Sequence, residues 1–232
     1  MRIDFRSVYV ALDPHPSYIG ASTNIDLMCA ELSLTEAPLL LLTVKGNLPP
    51  VWTDTIHQYC FESAETNVFK RRMAFSHWAK QILEQQHNLM LGHFRDNWGG
   101  LAILEFQHIR SVYEVNGVPS IELPYRFPYI ANETLQKIKQ LEAHCLQEAE
   151  TVITPSHTTK KYLVALGHPA QKITVIPNGA DLPDPLPPQN LPKPYMVYAG
   201  ALQVWQGVDV LLKSLPYLKD VDVHLVICSS YT

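Results

Sequence analysis

Short apolar runs alternate with stretches of helical periodicity along nearly the whole chain. The runs are Val8–Leu12, Leu39–Val44, Leu89–Leu91, Ser120–Leu123, Val152–Ile153 and Ile173–Ile176, then Met196–Tyr198 and Val223–Ile227. Runs without a polar alternate face suit strands buried on both sides. Between them, Thr23–Leu34, Phe69–Leu83, Leu135–Ala149 and Thr158–Leu166 carry apolar residues at helical spacing. Ser156 is placed to cap the last of these, and Gly167 to stop it. The expected class is α/β, a parallel sheet with flanking helices.

One boundary is plain. Asp181–Pro194 carries Pro183, Pro185, Pro187, Pro188, Pro192 and Pro194, which forbid a helix and favour a stiff, extended linker. Residues 1–180 then make one domain, 181–194 the linker, and 195–232 the opening of a second, incomplete unit of strand, helix and strand.

Composition excludes several classes. Hydrophobic residues make up 47% and charged ones 17%, which rules out a disordered chain. The net charge of −4 argues against nucleic acid as a partner. No apolar run approaches the length of a membrane span. Cys29, Cys60, Cys145 and Cys228 form no C-x-x-C pair and read as reduced thiols of a cytoplasmic protein.

Ligands of open α/β sheets bind beyond the carboxyl ends of the strands. After the first strand come Gly20, where a ligand can approach the backbone, and Ser22 and Thr23, which can cap the next helix. An ordinary loop is the competing reading. His93, Arg95 and Asp96 follow the third run, with Arg95 able to clamp an anion or hydroxyl and His93 able to hydrogen-bond a sugar or phosphate. Glu114 is either a cleft carboxylate or a solvent-facing or salt-bridged residue. Asn178-Gly179 reads as a turn with positive φ angles at the domain junction. Tyr198-Ala199-Gly200, then Gln206-Gly207 opening a helix, offers a phosphate site. Asp220-Val221-Asp222 merely opens the last strand, and the ten histidines show no metal-ligand spacing. There is no G-x-G-x-x-G, Walker or G-x-S-x-G motif.

Taken together, Val152–Ser156, Lys172–Asp181, Tyr198–Gly200 and Gln206–Leu212 resemble the family 4 (group 1) retaining glycosyltransferases of GT-B fold. Gly20-Ala21-Ser22 resembles their glycine loop. The resemblance implies a Rossmann-like acceptor-side domain over 1–180 and the start of a second Rossmann-like, donor-binding domain over 195–232, truncated soon after it opens. It implies a nucleoside-diphosphate-sugar donor, no metal cofactor, and transfer with retention to a glycan, lipid-linked or small-molecule acceptor. A lipid-linked acceptor would bring peripheral membrane contact, and the missing half or a partner chain would complete the second domain.

The site residues implied are His93 as catalytic, Gly20, Ala21, Ser22, Arg95, Glu114 and Asn178 for substrate, and Gly200, Gln206 and Gly207 for the donor diphosphate. Ala201 and Gln206 stand where such enzymes usually carry basic residues, so the chain is expected to be inactive or impaired. Two other readings compete: a non-catalytic acceptor- or protein-binding module, and an unrelated enzyme such as a nucleotide-sugar epimerase. The missing dinucleotide fingerprint argues against the latter.

Overall fold

The computed structural model describes residues 3–179, 194–203 and 206–229. Most of the expected linker, 181–193, lies outside the described residues. The chain divides into two compact units, one of residues 1–119 and 132–178, the other of residues 120–131 and 179–232.

The first unit holds a seven-stranded sheet, all parallel. Its strands are β1 (Ser7–His15), β2 (Leu39–Lys45), β3 (Ile56–Phe61), β4 (Leu91–Phe94), β5 (Arg110–Glu114), β6 (Thr151–Thr154) and β7 (Ile173–Val175). The order is β3-β2-β1-β4-β5-β6-β7. The chain therefore builds outward from β1 in one direction and then reverses to place β4 on its other side. That reversal opens a crevice at the carboxyl ends of β1 and β4. The pairing there is in register, with Tyr9 beside both Leu41 and His93.

Helices of the first unit are α1 (Gly20–Thr35), α2 (Val68–Leu83), α3 (Asn97–Ile103), α5 (Asn132–Glu148) and α6 (His157–Ala165). On one face of the sheet, Ile25 and Cys29 of α1 bury against Tyr9, Ala11, Leu39 and Leu41. Each fully buried aliphatic chain of this kind contributes roughly 1.5–3 kcal/mol. On the other face, Phe61 meets Phe75 and Trp78 of α2 edge-on or tilted, with ring centroids 5.5–5.6 Å apart. The short helix α3 lies especially close to the sheet because it has two glycines there. A Cβ at Gly99 would stand 3.0 Å from Val10, and one at Gly100 would stand 2.7 Å from Cys145 Sγ of α5 and 2.8 Å from Phe94.

Several local expectations are corrected. Ser120–Leu123 is not a strand but part of helix α4 (Pro119–Arg126), in the second unit. Pro119 is preorganised for the first turn of a helix. The strand of that region is β5, ten residues earlier, whose Arg110, Ser111 and Glu114 hide its extended character. The edge strand β3 is masked in the same way by His57 and Gln58. The strand at the third run begins at Leu91 rather than Leu89 and ends at Phe94. Helix α1 starts at Gly20 rather than Thr23, and its cap residue is Ile19 with no side-chain cap. Neither Asn178 nor Gly179 has a positive φ. Ser156 does cap α6, accepting from the amides of Thr158 and Thr159, and Gly167 follows its end at φ +95°.

The second unit contains β8 (Tyr195–Ala199), α7 (Val208–Ser214) and β9 (His224–Cys228), with β8 and β9 parallel. Its strands remain half open, with Val197 54% exposed.

The close seat of α3 gives a test. Gly100→Ala raises intrinsic helix propensity by roughly 0.5–1 kcal/mol, yet overpacking costs about 1–3 kcal/mol. The variant is expected to be less stable in urea denaturation, and the loss to shrink in a Cys145→Ala background. A more stable Gly100→Ala protein would contradict the packing described.

Candidate active site

Three adjacent strands deliver one buried cluster to the crevice. Tyr9 of β1, His93 of β4 and Glu114 of β5 lie on the same face of the sheet, by their register and the two-residue alternation of strands. Glu114 Oε2 accepts hydrogen bonds from Tyr9 OH (2.6 Å) and His93 Nε2 (3.1 Å). Its Oε1 accepts from Arg95 Nη1 (2.6 Å) and from the Asn116 amide. Arg95 Nε turns to Asp13 Oδ2 at 3.1 Å.

Glu114 is an acceptor saturated by donors. Burial alone would raise its pKa, but the His93 hydrogen bond, the Arg95 charge and the Tyr9 hydroxyl hold it down to about 2. Burial and the adjacent Glu114 charge push the Tyr9 hydroxyl well above its usual range, so it stays a neutral donor. An ionised carboxylate cannot donate. His93 therefore donates through Nε2, and Nδ1 is the ring nitrogen that Glu114 does not engage.

Asp96 fastens the neighbouring loop. Its Oδ1 accepts from the amides of Trp98 and Gly99, capping α3, and its Oδ2 accepts from Leu12 N at 2.6 Å. Burial outweighs these bonds and lifts its carboxyl to about 6. The same loop is tied down elsewhere. His15 O accepts from Gly46 N and from the Gln58 amide. His15 Nδ1 sits 2.8 Å from Ser22 Oγ, which also accepts from Ser17 N. Burial lowers the His15 pKa against the opposing pull of Asp26 and Asp13.

The structure thus brings His93, Arg95 and Glu114 into direct contact. Gly20, Ala21 and Ser22 form the first turn of α1, where Ser22 is buried and its hydroxyl engaged within the loop. Asn178 is exposed beyond the end of β7. Gly200, Gln206 and Gly207 lie in the second unit. Gly207 caps α7 at φ +69°, a conformation that favours glycine. The Gln206 amide oxygen lies 2.9 Å from Tyr198 OH, which also donates to Ala201 O.

Sequence reasoning passed over Tyr9, Asp13 and Asn116. A hydroxyl in the apolar run Val8–Leu12 was the available hint of a buried polar partner. Among the described residues, no three His, Cys, Asp or Glu side chains are placed to hold a metal ion. No helix among them is long and apolar enough to cross a membrane.

Two outcomes follow for stability. A native pKa of about 2 against the ordinary 4.5 means that Glu114 stabilises the fold above pH 4.5. That contribution, on the order of 3 kcal/mol, is lost as pH falls from 4.5 towards 2. Asp96 acts with the opposite sign, favouring the folded state below its ordinary 3.8 and losing that preference as pH rises through about 6. The wild-type minus Glu114→Gln difference in urea stability should therefore collapse between pH 4.5 and 2. A flat difference would show that Glu114 is not ionised in the cluster. Glu114→Ala, which leaves Arg95 only Asp13 and takes the buried acceptor from Tyr9 and His93, should cost about 3–5 kcal/mol at pH 7, read from the same denaturation curves.

Comparison with known proteins agrees with this architecture. The profile of Glycosyltransferase Family 4 matches residues 50–183. That segment includes His93, Arg95, Glu114 and Asn178. No curated protein matches the sequence significantly. Among solved structures, sucrose-phosphate synthase from Thermosynechococcus elongatus superposes with a TM-score of 0.72 at 14% identity, over 96% of this chain and 62% of that one. Anabaena Alr3699/HepE, in complex with UDP and glucose, gives 0.60 at 14% identity, over 96% and 60%. UDP-N-acetylglucosamine 2-epimerase from Rickettsia bellii gives 0.58 at 13% identity, over 97% and 62%. The chain spans about three-fifths of the length of each of these. At such identities the likeness is one of fold, the Rossmann-like α/β fold of the GT-B group, and it extends to an epimerase. The family profile covers more than half of the chain and separates these possibilities: the chain belongs to Glycosyltransferase Family 4.

Proposed function

We propose that this protein transfers a sugar from a nucleoside-diphosphate sugar to a hydroxyl acceptor with retention of anomeric configuration, without a metal. The observation that carries the proposal is the coincidence of the family match with the buried His93–Glu114–Arg95 cluster. In the reaction, the bond between the anomeric carbon and the diphosphate oxygen breaks. A bond to the acceptor oxygen forms on the same face, and the nucleoside diphosphate leaves with the electron pair and takes up the proton of the acceptor hydroxyl.

In this reading the first unit serves the acceptor and the transferred sugar. His93 touches the sugar through Nδ1, accepting a hydrogen bond from one of its hydroxyls. Glu114 and Arg95 hold that ring in place, and the turn Gly20-Ala21-Ser22 and Asn178 line the substrate side. Gly200, Gln206 and Gly207 in the second unit take the diphosphate. HepE is described in complex with UDP and glucose, which supports a nucleotide-sugar donor.

The donor side is weak in this chain. Ala201 brings no charge, and the Gln206 side chain lies against Tyr198. Charge-assisted hydrogen bonds are worth about 1.5–3 kcal/mol each, so two missing cations leave the 232-residue chain impaired. We place the protein in the cytoplasm, acting on a glycan, lipid-linked or small-molecule acceptor.

The test is release of nucleoside diphosphate from a panel of UDP-, GDP- and ADP-sugars with glycan acceptors, with product anomers read by NMR. Acceptor-dependent release that survives EDTA, with the donor's anomeric configuration kept, is expected. Inverted product would remove retention, and no release from any donor would remove transfer. His93→Gln keeps a donor towards Glu114 but has no equivalent of Nδ1. Its turnover is expected to fall by about 10²-fold while its unfolding midpoint stays near wild type. Unchanged turnover would take His93 out of the site.

A further inference from the structure

The charge arrangement around Arg95 says more about the ligand than the presence of an arginine suggests. A guanidinium beside a crevice reads as an anion clamp, but this one is already bracketed. Its Nη1 is bonded to Glu114 and its Nε to Asp13, so two carboxylates face one cation. The Arg95 side chain is only 8% exposed. The next cation along this edge, Lys45 at the end of β2, is paired with Glu62 at 3.0 Å. A phosphate or carboxylate entering here would meet spent cations and the field of Asp13.

Asp13 is the charged member of the cluster that reaches solvent, with its side chain 34% exposed; Asn116, also exposed, spends a hydrogen of its amide on Glu114. Arg95 fixes Oδ2, and among the described residues no donor reaches Oδ1. The backbone beneath it is pinned by the Leu12 amide on Asp96 and by the bonds to His15 O. An acceptor oxygen held this firmly at the carboxyl end of β1 is preorganised for a hydroxyl or ammonium donor.

We propose that Asp13 is a specificity-determining residue of the first unit. It accepts a hydrogen bond from a hydroxyl or amino group of a non-anionic sugar and excludes anionic ones. The inference rests on the reading of the first unit as the acceptor side. Arg95 is then a positioning residue, holding Asp13 rather than the ligand.

The test compares three probes, methyl α-D-glucopyranoside, D-glucosamine and D-glucose 6-phosphate, by saturation-transfer NMR titration against the 232-residue chain. Wild type is expected to bind the glycoside and glucosamine and to bind glucose 6-phosphate at least tenfold more weakly. Asp13→Asn removes the charge with little change of shape and unmasks the Nε edge of Arg95. That variant should lose the preference for glucosamine over glucose 6-phosphate and gain about tenfold for the phosphate. Asp13→Ala should share the gain, and circular dichroism should show both variants folded. Equal binding of the phosphate by wild type, an unchanged ranking in Asp13→Asn, or binding of none of the probes would each overturn the proposal. The two readings fail separately. A protein that releases no nucleoside diphosphate can still rank the sugars this way, and an active transferase can rank them otherwise.

Discussion

One carboxylate holds together the part of the molecule where chemistry can occur. Glu114 sits at the end of β5 and receives hydrogens from Tyr9 on β1, His93 on β4, Arg95 just past β4 and Asn116 just past β5. Burying a charge this deeply is costly unless every lone pair finds a donor. Here four donors do so, and the crevice between β1 and β4 is closed from below by an internally satisfied network. Its consequence reaches outward: the tautomer of His93, the aim of Arg95 and, through Arg95, the seat of Asp13 all depend on the ionised state of Glu114.

The scaffold supports this network by proximity. Asp96 caps a helix whose glycines let it press against Val10 and Phe94, and the same carboxylate holds the amide of Leu12. Sheet, helix and loop therefore meet at a single side chain. On the opposite face, α1 packs Ile25 and Cys29 onto Tyr9 and Ala11. The residue that donates to Glu114 is thus also a core residue, and the site cannot loosen without disturbing the packing beneath it.

The sequence revealed the class of fold because Val8–Leu12 and Leu39–Val44 are apolar on both faces, which few environments other than a covered parallel sheet explain. It concealed β3 and β5, since His57, Gln58, Ser111 and Glu114 break the apolar pattern while pairing inside the sheet. Ser120–Leu123 misled for the converse reason, an apolar alternation that Pro119 leads into a helix. His93, Arg95 and Glu114 were readable as polar residues near strand ends. Their contact was not, because it depends on the register of strands some twenty residues apart. Asp13 was hidden among loop residues, with nothing in the sequence to tie it to Arg95, 82 positions away.

The segment from Leu12 to Ser22 is anchored at Leu12 by Asp96, at His15 by Gly46 and Gln58, and at Ser17 by Ser22. A segment fastened at such short intervals has no room for inserted or deleted residues. Members of a lineage built on this loop would have to alter their choice of ligand by exchanging side chains in place, at positions such as 13, 18 and 20, while its length stays constant. Diversity of substrate would then be written in residue identity, with the path of the backbone unchanged.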